Sequence, residues 1–170
     1  MMQRIEVKVL LLFVLVFITL VAYASVRLFT EEVNGPIVVT NNLTANDEKI
    51  IIPVVLDERE FAMEVSDTQE TQQKGLSGRG SLCEICGMIF VFEKPSKYGI
   101  WMKDMLLSID VLWLNENKYI IHIVENMQPR SYPKSYYPPS DAKYIIEVPN
   151  GTVYDLGLKV GDPVNFDLSD

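Results

Sequence analysis

Residues 109–124 read IDVLWLNENKYIIHIV, and this stretch predicts the type of fold. Residues 109–114 and 119–124 are rich in the β-branched and aromatic side chains that favour strands. The polar residues Asn115, Glu116, Asn117 and Lys118 separate the two runs and favour a tight turn. The stretch therefore predicts a β-hairpin.

Apolar runs on both sides of this hairpin predict further strands. Residues 50–56 and 61–65 flank a polar turn and are expected to pair as another hairpin, in which Pro53 favours an edge position or a bulge. The runs between residues 88 and 124 are expected to form a meander, in which successive strands are neighbours. The remaining predicted strands are residues 88–92, 99–102, 144–148 and 163–166.

Two short helices are predicted between the strands. Asp67 followed by Glu70 is an acidic variant of the capping box, so a helix is expected over residues 68–74, with Gly75 at its end. A second helical turn is expected at residues 152–156. The predicted fold class is α+β and mainly β, namely a compact antiparallel sheet or barrel-like domain with one or two short helices, after an N-terminal apolar helix.

An uncharged apolar segment at residues 9–26 precedes the folded part. At about 1.5 Å per helical residue it nearly spans a hydrocarbon core of about 30 Å. Arg4 and Lys8 precede it, so the positive-inside bias keeps the N-terminus in the cytoplasm and exports the rest. The segment is either a signal anchor or a signal peptide cleaved after Ala24, because Ala22-Tyr23-Ala24 fits the small-residue cleavage pattern.

The predicted organisation is a signal anchor or signal peptide at residues 1–26, a polar linker at residues 27–48 and a domain at residues 49–170. The domain is expected outside the cell membrane, held by a single span or secreted after cleavage. The net charge of −8 disfavours nucleic acid and acidic phospholipid as main partners, because both bind clustered Lys and Arg. The expected partners are the membrane, through the N-terminal segment, and an envelope glycan or a membrane protein.

Cys83 and Cys86 form the Cys-x-x-Cys pair of the sequence. On an oxidising membrane face the favoured interpretation is a local structural disulfide. A thiol redox centre is an alternative, although such a centre favours a helix N-terminus and a strand-like run follows Cys86. A zinc site would need further ligands, and the chain contains no other Cys and the single histidine His122. No metal or cofactor is predicted.

Asp110 and Asp104 are the carboxylates with the most unusual surroundings. Asp110 lies inside an apolar run, so it must be hydrogen-bonded or paired if it is buried. A structural clamp is favoured, and ligand contact is the alternative. A third interpretation pairs Asp110 with Asp104 as acid and base in glycan hydrolysis, which requires carboxylates roughly 5 to 10 Å apart.

Aromatic residues supply the predicted ligand-binding surface. Flat aromatic faces stack on sugar rings or on proline-rich partners, although such residues are more often partly buried packing. Lys103, two residues after Trp101, adds a hydrogen-bond donor. Trp113 and Tyr98 are further candidates for such flat faces. The predicted ligand-binding residues are Trp101, Lys103, Asp104, Asp110, Tyr136 and Tyr137, within a surface that includes the loop at residues 132–137.

Several motifs together resemble the DUF192 (UPF0127) family, over about residues 61–167. Such a resemblance implies a compact, mainly β domain with a short helix, often exported and of uncharacterised function. Many members have Asn where this chain has Asp104, and an amide cannot donate that acidic proton. The Cys-x-x-Cys pair is not part of the family pattern. The motifs are residues 67–68, 74–76, 87–92, 101–105, 109–111, 144–147 and 157–162.

The sequence contains no serine nucleophile elbow, phosphate-binding glycine loop or His-Glu-x-x-His motif. The predicted function is therefore a membrane-tethered or exported, non-enzymatic accessory domain that binds an envelope ligand such as a carbohydrate. The alternatives are a glycan hydrolase acting through Asp104 and Asp110, and a thiol redox protein acting through Cys83 and Cys86.

Overall fold

The structure is a computed structural model that describes residues 49–168 of the chain. The predicted apolar segment at residues 9–26 and the linker at residues 27–48 lie outside the described residues. Within residues 49–168, every helix is too short or too polar to cross a membrane.

One seven-stranded sheet forms the framework, in the order β6-β5-β8-β3-β2-β1-β9. A separate two-stranded sheet pairs β4 with β7. Two short helices complete the predicted mainly β fold, which the structure confirms. The strands are β1 (Ile51–Leu56), β2 (Arg59–Ser66), β3 (Cys86–Ser96), β4 (Ile100–Trp101), β5 (Ile109–Leu114), β6 (Ile120–Met127), β7 (Ser135–Tyr136), β8 (Ala142–Pro149) and β9 (Val164–Phe166).

Both predicted hairpins are confirmed. In the first, β1 and β2 pair antiparallel, and β9 pairs with β1 only from Val54 to Leu56. Pro53 thus lies just before the residues of β1 that pair with β9, which suits a residue that has no backbone N–H. In the second hairpin, the Asn115 side-chain oxygen accepts hydrogen bonds from the backbone N–H groups of Asn117 and Tyr119, each at 3.0 Å.

The predicted meander is wrong, because β8 lies between β3 and β5. The sheet is also not wholly antiparallel, since β2 and β3 run parallel. Parallel neighbours need a long crossover connection, and residues 67–85 supply it with the helix α1 (Gln69–Lys74). A pattern of local apolar runs gives no information about a strand that arrives from a distant part of the chain.

The helix α1 and its N-cap each begin one residue later than predicted. Its N-cap is Thr68, whose extended backbone directs the hydroxyl group to accept from the Thr71 N–H at 3.2 Å. The capping box therefore joins Thr68 and Thr71, and the predicted box of Asp67 and Glu70 is wrong. Gly75 ends the helix with φ of 50°, as predicted. The second predicted helix is α2 (Thr152–Leu156).

The sheet curls into a half-barrel whose two edges meet at one end. The Ile120 N–H donates to Asp162 O at 3.0 Å, and the Val164 N–H donates to Lys118 O at 2.9 Å. These bonds connect the start of the edge strand β6 with the edge strand β9. They leave fewer unpaired backbone groups at the sheet edges, where exposed strands favour aggregation.

Each face of the sheet carries its own hydrophobic core. On β5, Leu112 and Leu114 pack into the first core together with residues of α2, whereas Val111 and Trp113 pack into the second. This alternation follows from the two-residue period of a strand. The second core is covered by the loops that carry Leu76, Met102 and Met105, and by β4 and β7, so these segments form the outer layer of the domain.

Candidate functional site

The pairing of β4 with β7 brings two distant aromatic segments together. Trp101 lies opposite Ser135, and Ile100 lies opposite Tyr136. Trp101 is 51% exposed, Tyr132 46% and Tyr137 60%, although all three are large and mainly apolar. The Trp101 and Tyr132 rings meet edge to face, with their centroids 6.1 Å apart and their planes at 65°. We name Trp101, Tyr132 and Tyr137 the aromatic surface.

Gly99 is a residue of this site that the sequence reasoning missed. A Cβ atom at position 99 would lie 2.5 Å from Cε1 of Tyr137, which is closer than such atoms approach. The missing side chain therefore lets the Tyr137 ring lie against the backbone that enters β4. The sequence offers no signal for this contact beyond the glycine itself, because the partner is far along the chain.

Tyr136 supports the surface from within and is less available to a ligand. Its side chain is half-buried and packs against the second core. The Lys134 ammonium lies 4.3 Å from the centroid of its ring, so it covers one ring face through a cation–π contact.

Lys103 and Asp104 are exposed and follow Trp101 after the buried Met102. Their backbone is fixed by the segment that follows α1. The Ser77 hydroxyl donates to Lys103 O at 2.8 Å, and the Gly78 N–H donates to Asp104 O at 2.8 Å. Asp104 adopts φ of 56°, a left-handed conformation that costs free energy for a residue with a side chain. The polar neighbours of Trp101 thus depend on residues 77 and 78 for their position.

Asp110 is fully buried, and its inclusion among the ligand-contacting residues is corrected by the structure. Its Oδ1 accepts from the Asn126 N–H at 2.8 Å, and its Oδ2 accepts from the N–H groups of Gly151 and Val153, each at 3.0 Å. Both oxygens are occupied by backbone donors beneath the surface. The geometry is that of the structural clamp, and it leaves Asp110 unable to reach a glycan together with Asp104.

Trp113 and Tyr98, offered by the sequence as flat faces for a ligand, have instead the packing role that was expected more often for such residues. Trp113 is fully buried, and its indole N–H donates to Tyr98 O at 2.9 Å. The Tyr98 ring stacks on Phe92 with centroids 3.6 Å apart and planes at 8°. Both residues are packing residues of the second core.

Cys83 and Cys86 are joined by a disulfide in the loop before β3. Cys83 is exposed and Cys86 is half-buried at the first position of the strand. The pair does not lie at a helix N-terminus, and the loop is fixed to β2 by a bond from the Ala62 N–H to Ile85 O at 2.8 Å. Within residues 49–168, three or more potential metal ligands nowhere come together.

A buried polar cluster next to the crossover segment was also missed from sequence. Glu147 on β8 is 5% exposed, and its Oε2 has no hydrogen-bond partner among the described residues. Burial raises the pKa of Glu147 to about 8, although the charge of Arg79 acts in the opposite direction. Arg79 itself binds Glu64 through two hydrogen bonds, and the Arg79 bond lowers the pKa of Glu64.

The fold and the site together define a half-barrel domain that displays an open aromatic surface on its outer layer. Residues 53–166 match the DUF192 family, which is described as an uncharacterised ACR. This match covers most of the chain, and the chain therefore belongs to the DUF192 family. The expectation drawn from the sequence motifs is confirmed.

Curated relatives are UPF0127 proteins of archaea. One from Pyrococcus furiosus is 34% identical over 71 residues, which are 42% of this chain and 55% of that protein. One from Thermococcus sibiricus is 29% identical over 86 residues, or 49% of this chain and 53% of the relative. The chain thus spans about half the length of these two relatives.

Two solved structures share the fold. A protein of Sinorhizobium meliloti 1021, provisionally called a transcription regulator, has a TM-score of 0.67 and 23% identity, and the match covers 71% of this chain and 97% of that one. A protein of unknown function from Novosphingobium aromaticivorans has a TM-score of 0.62 and 24% identity, over 69% and 84% of the two chains. At these identities the likeness shows the fold alone.

Proposed function

We propose that this domain is a non-enzymatic binding module for a carbohydrate of the cell envelope, with the aromatic surface as its binding site. The observation that carries the proposal is the exposure of Trp101 and Tyr132, whose rings meet edge to face, together with the exposed Tyr137, which directly follows the strand paired with β4. Exposing large aromatic groups is unfavourable unless a partner covers them, so their clustering supports a recognition role.

The arrangement of the rings suits a sugar better than a flat apolar partner. Trp101 and Tyr132 stand at a steep angle, so they form two walls of an open corner. A pyranose ring can lie on the Trp101 face while its hydroxyl groups meet polar neighbours. Lys103 and Asp104 are exposed two and three residues after Trp101, where they supply a donor and an acceptor.

The charge of the chain favours a neutral glycan over an acidic one. The net charge is −8, so an acidic polymer would be repelled over most approaches to the domain. Stacking and hydrogen bonding with uncharged hydroxyl groups do not carry this penalty.

We further propose that the domain acts on the outer side of the cell membrane. The apolar segment at residues 9–26, with Arg4 and Lys8 before it, supports this location. The disulfide between Cys83 and Cys86 also suits an oxidising compartment. A membrane tether would raise the local concentration of the module, so a weak affinity for each glycan chain would suffice.

The test is a titration of the full chain in detergent micelles with chitotriose and with other neutral envelope oligosaccharides, followed by the indole NMR signal of Trp101. Saturable shifts are expected for Trp101. Trp101→Ala and Tyr137→Ala are each expected to weaken binding by about tenfold, because loss of one stacking contact costs about 1 to 2 kcal/mol. Binding by Trp101→Ala, which lacks the indole signal, is measured by isothermal titration calorimetry alongside the wild type.

Tyr154→Ala is the matched control for Tyr137→Ala, because Tyr154 is 82% exposed on α2 and lies outside the aromatic surface. It is expected to bind like the wild type. Equal weakening by both tyrosine variants, or no saturable shift with any oligosaccharide, would refute the proposed site.

Catalysis of glycan cleavage receives no support from the geometry, because Asp110 is buried and fully engaged by backbone donors. The thiol redox alternative stays a prediction. Its test is a titration of Cys83 and Cys86 against a dithiothreitol series, in which a structural bridge stays oxidised until the potential falls below about −300 mV.

A further inference from the structure

Residues 75–79 belong to the crossover connection between β2 and β3. They lie between two features that are far apart in the sequence. On its inner side it passes over the buried carboxyl group of Glu147. A Cβ atom at Gly75 would lie 3.9 Å from Oε2 of Glu147 and 3.4 Å from Cζ of Phe90. The segment thus covers Glu147 directly, and the lack of a side chain at Gly75 permits this close approach.

On its other side the same segment holds the polar neighbours of Trp101. Ser77 donates its hydroxyl hydrogen to Lys103 O, and Gly78 donates its N–H to Asp104 O, each at 2.8 Å. Asp104 is held in a left-handed conformation, so its position depends on such external bonds. A displacement of residues 75–79 would therefore be transmitted to residues 103 and 104.

Glu147 is an unusual residue to find beneath this segment. It lies on the strand β8, near the middle of the sheet, where its register neighbours on β3 and β5 are Met88 and Val111. Its Oε2 lacks a partner within the described residues, and so does the Oγ of the fully buried Ser66 on β2. A neutral carboxyl group tolerates such a site far better than a carboxylate does.

The charged groups near Glu147 are arranged to leave it without a counter-ion. Arg79 is the cation whose charge acts on it. Arg79 is bound to Glu64 by both of its terminal nitrogens, and Lys49 also contacts Glu64, at 3.2 Å. Met88 and Val111, from the neighbouring strands, do not titrate. Release of the Glu147 proton to solvent would therefore leave a buried anion that competes with Glu64 for Arg79.

We propose that Glu147 and the segment at residues 75–79 form a proton-operated switch that regulates the aromatic surface. In the protonated state the segment is closed over Glu147 and holds Lys103 and Asp104 in place beside Trp101. In the ionised state Arg79 turns toward Glu147, or the segment lifts to admit water, and the bonds from Ser77 and Gly78 are disturbed. The regulatory role rests on the glycan-binding function proposed above.

The first experiment measures the coupling without any ligand. The indole NMR signal of Trp101 is followed in the full chain from pH 6 to pH 9. Because burial raises the pKa of Glu147 to about 8, the signal is expected to titrate with a midpoint near that pH. Glu147→Gln, which keeps the shape of the neutral acid, is expected to abolish the titration. Glu93→Gln makes the same change at an exposed glutamate of β3 and is expected to leave it intact.

A second measurement does not depend on the stability of a variant. The side-chain carboxyl carbon of Glu147 is followed by NMR in the wild-type chain over the same pH range and below it. A midpoint near 8 supports the switch. Titration near 4.5, the ordinary value for glutamate, overturns it whatever the variants do.

Chitotriose binding at pH 6.5 and pH 9 then separates the two proposals. If both hold, the wild type binds at least threefold more weakly at pH 9, and Glu147→Gln binds equally at both. Binding that is unaffected by pH, with no titration of Trp101, overturns the switch and leaves the binding function standing. Titration of Trp101 through Glu147, without binding of any oligosaccharide, overturns the binding function and supports the coupling.

Discussion

The Asp110 carboxylate accepts a hydrogen bond from the backbone N–H of Val153 at 3.0 Å, although 43 residues separate the two in the chain. The same carboxylate also receives the N–H groups of Gly151 and Asn126. It thereby satisfies two donors at the start of α2 and one on β6, where Asn126 has φ of 49°. Buried donors without such a partner would each cost free energy.

Asp110→Asn is expected to lower the free energy of unfolding by about 2 to 4 kcal/mol. The amide oxygen can still accept from α2, but the amide nitrogen then faces the Asn126 N–H, donor against donor. Urea unfolding of the full chain measures the loss. Asp141→Asn, at an exposed position, is the control and is expected to be nearly neutral. An unchanged unfolding midpoint combined with loss of a glycan-cleaving activity would instead favour the hydrolase interpretation.

Glu147 is expected to make the folded state less stable as the pH rises. Its pKa is about 8 in the folded state, against an ordinary value of 4.5, so between these values the folded state holds a proton that the unfolded chain has released. The contribution of Glu147 to stability is therefore greatest below pH 4.5 and falls until about pH 8, by at most about 1.4 kcal/mol for each pH unit.

Urea unfolding of Glu147→Gln across this range isolates the effect, because glutamine does not titrate. The wild type is expected to lose stability relative to Glu147→Gln from pH 5 to pH 8, and the difference is then expected to level off. Glu93→Gln, at an exposed site, should follow the wild type. A difference that is constant from pH 5 to pH 8 would show that Glu147 is already ionised at pH 5.

The pair of Arg79 and Glu64 is expected to contribute measurable coupling. Both side chains are mostly buried, 24% and 18% exposed, and they meet through two hydrogen bonds. A double-mutant cycle with Arg79→Gln and Glu64→Gln at pH 6 is expected to give a coupling free energy of about 1 to 2 kcal/mol. Because Arg79 lowers the pKa of Glu64, the contribution is lost as the pH falls below the ordinary glutamate range.

The matched control for this cycle is the pair of Arg59 and Glu84. Their charged atoms are 4.0 Å apart, and their side chains are 43% and 89% exposed. Solvent screens such a pair, so the same cycle is expected to give no measurable coupling. Equal coupling in both cycles would mean that burial of Arg79 and Glu64 does not strengthen their interaction.

Gly99→Ala is expected to displace the Tyr137 ring from the entrance of β4. The new methyl group would meet the ring within 2.5 Å, and the exposed ring can move away, so the cost in stability is about 1 kcal/mol. Changed NMR shifts of Tyr137, together with weaker chitotriose binding, are the expected result. Gly80→Ala is the control, because a Cβ atom there meets no atom within 4 Å. Unchanged Tyr137 signals in Gly99→Ala would show that this contact is absent in solution.

Much of the secondary structure could be predicted because it depends on local patterns. The runs that became β1, β2, β5 and β6 carry their β-branched residues and their turn residues within a few positions of each other. The position of β8 between β3 and β5 could not be predicted, because strand order depends on contacts between distant segments. The cap of α1 was misplaced by one residue because Asp67 and Thr68 are both good N-cap residues, and only the backbone conformation selects between them.

In the candidate site, too, some features follow from local sequence and others only from contacts between distant segments. The sequence by itself determined the mainly β fold, the family motifs and the presence of Trp101, Lys103 and Asp104 in one short stretch. Only the tertiary structure decided that Tyr132 and Tyr137 join Trp101, that Asp110 is enclosed by backbone donors, and that Glu147 lies beneath residues 75–79. The physical reason is that strand and turn preferences act over a few residues, whereas exposure, pKa and hydrogen-bond partners depend on which distant segments pack against each other.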